Sequence, residues 1–233
     1  MSFNRLPATT DPAVPGTIKF FWGTTELFDS VQLRTSYRAK MIKDQAGEPQ
    51  LDDFAMSPHE RRVFVEYLRD VIYELATAMF KLTQGISASV FIDDDTKLIF
   101  SIYGKSIDAT DCAGAAIAPQ GTEQDYPIYK VVEEWGGFEV GDYVSLNKES
   151  GLFEVVLPIK ASGFSIVDNN SFNENVLELI QTKMENCIKY YIMREWYGSL
   201  ALEKDMAAND AMYKSRLTEM KNLTHELRKP LMT

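Results

Sequence analysis

The residues of this chain that could do chemistry are few and scattered. Asp93, Asp94 and Asp95 stand in a row before Thr96. Three carboxylates could ligate Mg²⁺ or Ca²⁺, because hard cations take oxygen ligands. A calcium loop, however, needs acids at alternating positions, a glycine and a distal glutamate, which this stretch lacks. The triplet therefore reads as a solvated hairpin tip. His59 falls in the first turn of a helix, with no Ser, Cys or Asp near it in a triad motif and no GxSxG in the chain. It reads as a surface residue. Cys187 lies in an apolar stripe and reads as a small core hydrophobe. Cys112, in Thr110-Asp111-Cys112-Ala113-Gly114, is loop-borne and has no base beside it in sequence. GxGxxG, GxxxxGK[ST] and HExxH are all missing, so no phosphate cradle or zinc-protease helix is written here. Two cysteines and two histidines this far apart do not have zinc-ligand spacing. The expectation is a chain with no catalytic residues, no cofactor and no metal.

His225 has more context. Leu223-Thr224-His225-Glu226-Leu227-Arg228-Lys229-Pro230-Leu231 is similar to the phospho-accepting box of sensor histidine kinases, where a helical histidine is followed by ELRxPL. That family also carries a second hairpin helix and an ATP-binding domain with an Asn box and DxGxG, and the sequence stops at Thr233. Basic residues and a following proline are ordinary at a helix end. A sensor or phosphotransfer fragment with acceptor His225 is therefore the alternative reading, behind a non-enzymatic one.

The aromatics suggest contact rather than catalysis. Phe20, Phe21 and Trp22 are consecutive on a predicted strand, so side chains on both faces are apolar. Tyr190, Tyr191, Trp196 and Tyr197 crowd one helical stretch with Met193 and Arg194, and cannot all face one core. Tyr, Trp, Met and Arg are enriched in interface cores. Together with Tyr213, these residues are the expected contacts with other subunits.

The elements that must position them follow from pattern. Residues 1–16 hold Pro7, Pro12, Pro15 and Gly16 with little to bury, and read as an extended arm. Thr17 to Trp22 is a strand, and Glu26 to Met41 a short helix with Leu27, Val31 and Leu33 inward. Ser57-Pro58-His59-Glu60 is a capping box with proline at the first helical position. Phe64, Tyr67, Leu68, Val71, Ile72, Leu75 and Met79 then recur at three- and four-residue steps, predicting a helix over 58–84 with Gly85 as its stop. Ile86 to Ile92 and Lys97 to Tyr103 read as a hairpin around the acid triplet. Residues 104–126 read as a long loop. Tyr126 to Trp135 is a strand turning at Gly136-Gly137. Phe138 to Leu146 and Leu152 to Ala161 form a second hairpin, and Phe164 to Val167 one more short strand. A second capping box at Ser171–Glu174 opens a helix that runs to Trp196-Tyr197, with Gly198 as kink or end. Helix resumes over 201–228, where Met206, Tyr213, Met220 and Leu227 are spaced by seven as a narrow seam.

The expected fold is α+β: antiparallel strands in the middle, flanked by an N-terminal helix and a long C-terminal helical pair. The expected division is an arm at 1–16, an α+β domain at 17–168 and a helical region at 169–233.

Composition narrows the function classes. With 34 Asp and Glu against 24 Lys and Arg, the formal charge is -10. That argues against nucleic acid as a general partner and against an anionic membrane surface. Two separated cysteines make no disulfide framework. No signal peptide and no membrane-length apolar run is visible, so the chain reads as soluble and made inside the cell. Residues 201–229 carry 6 Lys and Arg against 5 Asp and Glu, so the acid excess lies upstream.

Two stretches carry a resemblance. Leu27 to Gly85 joins LFDSVQLRTSYRAK, a polar loop and the capped helix SPHERRVFVEYLRDVIYELATAMFKLTQGI. Ser171 to Pro230 joins SFNENVLELIQTKMENCIKYYIMREWY to a polar helix ending in RKP. This order resembles a group of virion structural proteins of tailed phages of gut bacteria, the crAss-like phages included. The resemblance implies a ring or neck subunit at the head-to-tail junction, assembled as a cyclic homo-oligomer around the DNA channel. It implies copies of itself and portal-side and tail-side virion proteins as partners, with DNA passing the lumen without sequence-specific binding and no membrane contact. It places the protein in the virion, assembled in the host cytoplasm, with no catalytic residues. A third reading is a small-molecule-binding module built on the β-rich middle and the 104–126 loop.

Overall fold

The computed structural model describes residues 16–43, 57–108, 117–123, 126–167 and 174–226. The expected arm, Cys112 and the Ser171 cap lie outside these residues, apart from Gly16. In chain order the elements are β1 (Thr17–Gly23), α1 (Thr24–Lys43), α2 (Pro58–Thr83), β2 (Ser87–Asp108), β3 (Ile117–Glu123), β4 (Tyr126–Val131), β5 (Tyr143–Leu146), β6 (Leu152–Val167), α3 (Glu174–Ser199) and α4 (Glu203–Glu226). The fold is α+β as expected. Its antiparallel sheet runs β1-β6-β5-β4-β3, with β2 also paired to β6.

The described residues form two compact units, one within 95–160 and one within 16–94 and 161–226. They do not follow chain order, as the divisions at 16 and 168 do. The reason is that β1, α1 and α2 share a core with α3 and α4 from the far end of the sequence.

In the helical unit, β1 pairs with the end of β6, Phe20 opposite Phe164 and Ile18 opposite Ile166. These side chains are fully buried with Phe28 of α1, Phe64, Leu68, Ile72 and Met79 of α2, Ile180, Met184 and Ile188 of α3, and Met220 of α4. Rings knit the elements together: Phe20 to Phe164 at 5.3 Å, Phe28 to Phe64 at 5.7 Å and Phe64 to Trp196 at 5.2 Å between centroids.

The capping box of α2 forms as written. Ser57 Oγ accepts from the Glu60 amide at 3.2 Å, and Glu60 Oε2 accepts from the Ser57 amide at 2.9 Å. At the other end Gln84, not Gly85, takes the left-handed conformation (φ 52). Gly85 is needed for a different reason: a Cβ there would run into Ile166 Cγ2.

The β-rich unit has its own small core of Val131, Phe138, Val144 and Phe153. Trp135 packs edge-on to Phe153 at 5.2 Å and bridges to Phe138 across the expected turn. Gly136 (φ 53) and Gly137 (φ 79) supply the positive φ values that turn requires. The β5–β6 hairpin also forms. Asn147 Oδ1 accepts from the amides of Glu149 and Ser150, and Gly151 closes the turn at φ 69. Phe164 to Val167 continues β6 instead of forming a separate strand.

Four further expectations are corrected. Leu33 of α1 is 56% exposed and faces out, while Leu27 and Val31 are buried as expected. Residues 86–103 are not a hairpin, because β2 runs unbroken through Asp93–Asp95 to Asp108. The acids are tolerated there because Asp93 pairs with Arg61 and Asp95 with Lys160. Residues 104–126 are not all loop, because 104–108 and 117–123 are strand. The seven-spaced seam of α4 holds only in part. Tyr213 and Met220 are buried, but Met206 is 37% exposed, and Leu217 and Thr224 complete the buried stripe. A straight helix drifts off a seven-residue repeat, so this contact follows the 3.6-residue period instead. Leu227 lies outside the described residues.

Candidate functional site

The expected contact residues divide by burial. Phe20, Trp22, Tyr197 and Tyr213 are at most 6% exposed, so this chain's own core already covers them. Phe21, Tyr190, Tyr191 and Trp196 remain half-buried. Phe21 pairs across to Gly163 and lies on the strand face opposite Phe20 and Trp22.

The structure brings two of the expected residues, Tyr191 and Tyr213, together around one that spacing did not single out. Arg194 lies over the ring of Tyr191 at 4.2 Å and that of Tyr213 at 5.3 Å. The two tyrosines meet edge-on at 5.4 Å. Tyr191 and Arg194 are one helical turn apart, which places them side by side on α3. That i,i+3 aromatic–arginine step was the available signal. Tertiary packing adds Tyr213. Arg194 also bonds the carboxylate of Glu195 and, at 3.2 Å, that of Asp210 on α4. Asp210 in turn takes Lys214 at 2.6 Å. Burial pushes the phenol of Tyr213 well up, helped by the Glu74 carboxylate, and burial raises that of Tyr191 too. Both hydroxyls stay protonated at neutral pH.

Beside this stack lies an open cleft of about 530 Å³, lined by Tyr67, Arg194, Glu195, Ser199, Met206 and Asp210. Leu200 (47%), Leu202 and Met206 are exposed at this end of the α3–α4 hairpin. The charges in the cleft pair with one another, and Ser199 Oγ donates to the Trp196 carbonyl at 2.7 Å. Within the cleft, then, the guanidinium is already neutralised and the Ser199 hydroxyl is turned to a backbone carbonyl.

The other motif residues stay apart. His59 is exposed in the first turn of α2, and His225 is exposed near the end of α4. Cys187 is fully buried against the main core. Burial, then the Glu219 charge, pushes its thiol up to about 12. Cys187 is expected to resist a thiol reagent such as DTNB in native protein and to react completely in guanidinium chloride. In a Cys112→Ser background, where Cys187 is the one thiol left, fast labelling of the native chain would contradict this packing. Among the described residues no three His, Cys, Asp or Glu side chains gather as a metal site. No helix there is long and apolar enough to cross a membrane.

A second charge cluster ties the hairpin lower down: Lys183 and Arg216 both reach Glu219, at 2.5 Å and 2.8 Å. Bonds from Lys183 and Arg216 hold the Glu219 carboxyl below its usual 4.5, and those from Lys214 and Arg194 hold Asp210 below 3.8. A lowered folded value stabilises above the unfolded value and is lost as pH falls through the folded one. Amide exchange in α3 and α4 is therefore expected to rise relative to α2 as pH drops below 3.8. An even rise along all helices would show that these pairs contribute nothing specific.

Compared with known protein families, with characterised proteins and with solved structures, the chain matches none.

Proposed function

We propose that this chain is a non-enzymatic structural subunit of a tailed-phage virion, a ring or neck component of the head-to-tail junction that assembles as a cyclic homo-oligomer around the DNA channel. The resemblance of residues 27–85 and 171–230 to such proteins motivates the reading. The observation that carries it is the end of the α3–α4 hairpin. There Leu200, Leu202 and Met206 stay exposed beside a cleft whose charges are already paired. Exposed apolar side chains rimmed by polar ones mark protein contact surfaces. Rings form when one surface patch meets a different patch on the next copy and the rotation closes. Copies of the chain and portal-side and tail-side virion proteins are then its partners, in particles assembled in the host cytoplasm. With a formal charge of -10, the subunits let DNA pass without gripping it, because carboxylates repel phosphate.

Electron microscopy and native mass spectrometry of the purified protein test this. Closed rings, or ring density in virions, are expected, and Leu200→Asp with Leu202→Asp should reduce them to monomers. A strict monomer or dimer without virion association would sink the proposal. A lumen lined by Lys and Arg would overturn the DNA-passage part alone.

The exposure of His225 favours one second reading, phosphotransfer. Incubation with a phosphodonor and a kinase core would then label the wild-type chain, and His225→Gln would abolish the label. Equal absence of label in both would dismiss it.

A further inference from the structure

Asp93 sits inside β2 with φ 50, a left-handed conformation that costs every residue with a Cβ something, aspartate less than most, and that does not belong to a regular strand. In the middle of a strand this calls for something to hold it. Two sets of contacts do so. The Asp93 amide donates to Ser162 Oγ at 2.8 Å, so a side chain takes the bond that a regular ladder gives to a carbonyl. Ser162 Oγ lies 2.6 Å from Thr24 Oγ1, and both residues are fully buried. Arg61 Nη2 donates to both carboxylate oxygens of Asp93, at 3.0 Å and 3.1 Å. Arg61 is itself steadied over the ring of Phe28 at 5.5 Å.

The position is as telling as the strain. The chain leaves the helical unit between Asp94 and Asp95 and re-enters it between Lys160 and Ala161. Asp93 and Ser162 are therefore the next-to-last residue before one crossing and the second residue after the other. Sparsely populated backbone conformations persist only where their surroundings enforce them, and they collect at switch regions.

We propose that Arg61, Ser162 and Thr24 form a latch that holds Asp93 in its left-handed bend, and that opening the latch loosens β2 and β6 where they leave the helical unit. The device is local: the helical core stays folded while the two strand crossings open. Strain and restraint make a signature distinct from an ordinary ion pair. Glycine adopts this φ without strain, so Asp93→Gly removes the need for the latch along with its carboxylate. A β-branched residue strongly resists it.

Amide hydrogen exchange on the full chain, read by mass spectrometry, tests this. Arg61→Ala should speed exchange about tenfold at residues 91–98 and 159–163 and leave α3 and α4 within about twofold of wild type. Asp93→Val should do the same or more, and Asp93→Gly should stay within about threefold of wild type. If Asp93→Gly opens the strands as much as Arg61→Ala, the pair is an ordinary salt bridge and the latch is refuted. No local change in Arg61→Ala, or a uniform rise along the whole chain, refutes it as well.

Discussion

Gly163→Ala is expected to destabilise the helical unit by about 3 kcal/mol, at the upper end of overpacking. Gly163 stands opposite Phe21 in the β1–β6 pair. A Cβ at this position would run into the carbonyl oxygen of Phe20 and the Cα of Phe21. Both are backbone atoms, so no rotamer change can relieve the clash. Relief requires β1 to move away, and β1 carries Ile18, Phe20 and Trp22 into the core. At roughly 2–4 °C per kcal/mol for a chain of this size, the melting temperature should fall by roughly 6–12 °C. Scanning calorimetry measures it. A variant that melts within about 1 °C of wild type would mean that β1 and β6 do not approach as closely as this register requires.

Phe64→Ala is expected to cost about 3–5 kcal/mol, the range for an aromatic deleted from a packed core. Phe64 is 2% exposed and stands between Phe28 of α1 and Trp196 of α3, edge-on to both. Its removal leaves a cavity among three helices that none can fill alone. Edge-to-face pairs add about 0.5–1.5 kcal/mol beyond area, so Phe64→Leu should retain much of the stability but not all. Urea titration followed by circular dichroism should show a lower midpoint with an unchanged slope, which marks a loss of stability without a change in the unfolded state. A loss under about 1 kcal/mol would mean that Phe64 is not the centre of this packing.

Both predictions rest on contacts between residues far apart in sequence, and this marks the limit of sequence reading here. The α2 helix was legible because its information is local. The cap, the proline and the apolar stripe all lie within 27 residues, and both reciprocal bonds form. The β5–β6 hairpin and the Gly136-Gly137 turn were legible for the same reason. At the acid triplet a local signal is overridden by a distant contact. Polar residues between two apolar runs signal a turn, and a left-handed residue does occur at Asp93. The strand nevertheless continues, because Arg61, 32 positions away, supplies the cation that a buried edge of the triplet needs.

The contact surface shows the same division. Composition and spacing marked the Tyr190–Tyr197 stretch as too aromatic for one core face. They could not say that Tyr213 would come from the next helix to close over Arg194, or that Tyr197 would turn inward. They also could not say that Met206 would stay exposed at the hairpin end while Tyr213 and Met220 were buried.

By itself, then, the sequence determined the α+β class, the helices, the Ser57 capping box, the glycine turns, the acidic charge and a core place for Cys187. Each of these follows from neighbours within a turn or two, where propensity, periodicity and capping act. The tertiary structure alone decided which aromatics the core covers, why Gly163 and Gly85 must be glycine, and how the first strand and two helices join the last two helices in one unit. It also decided that Asp93 is held in a bend instead of waving at a tip. These depend on which distant side chain arrives at a given point, and that is fixed only when the whole apolar surface finds its lowest-energy packing.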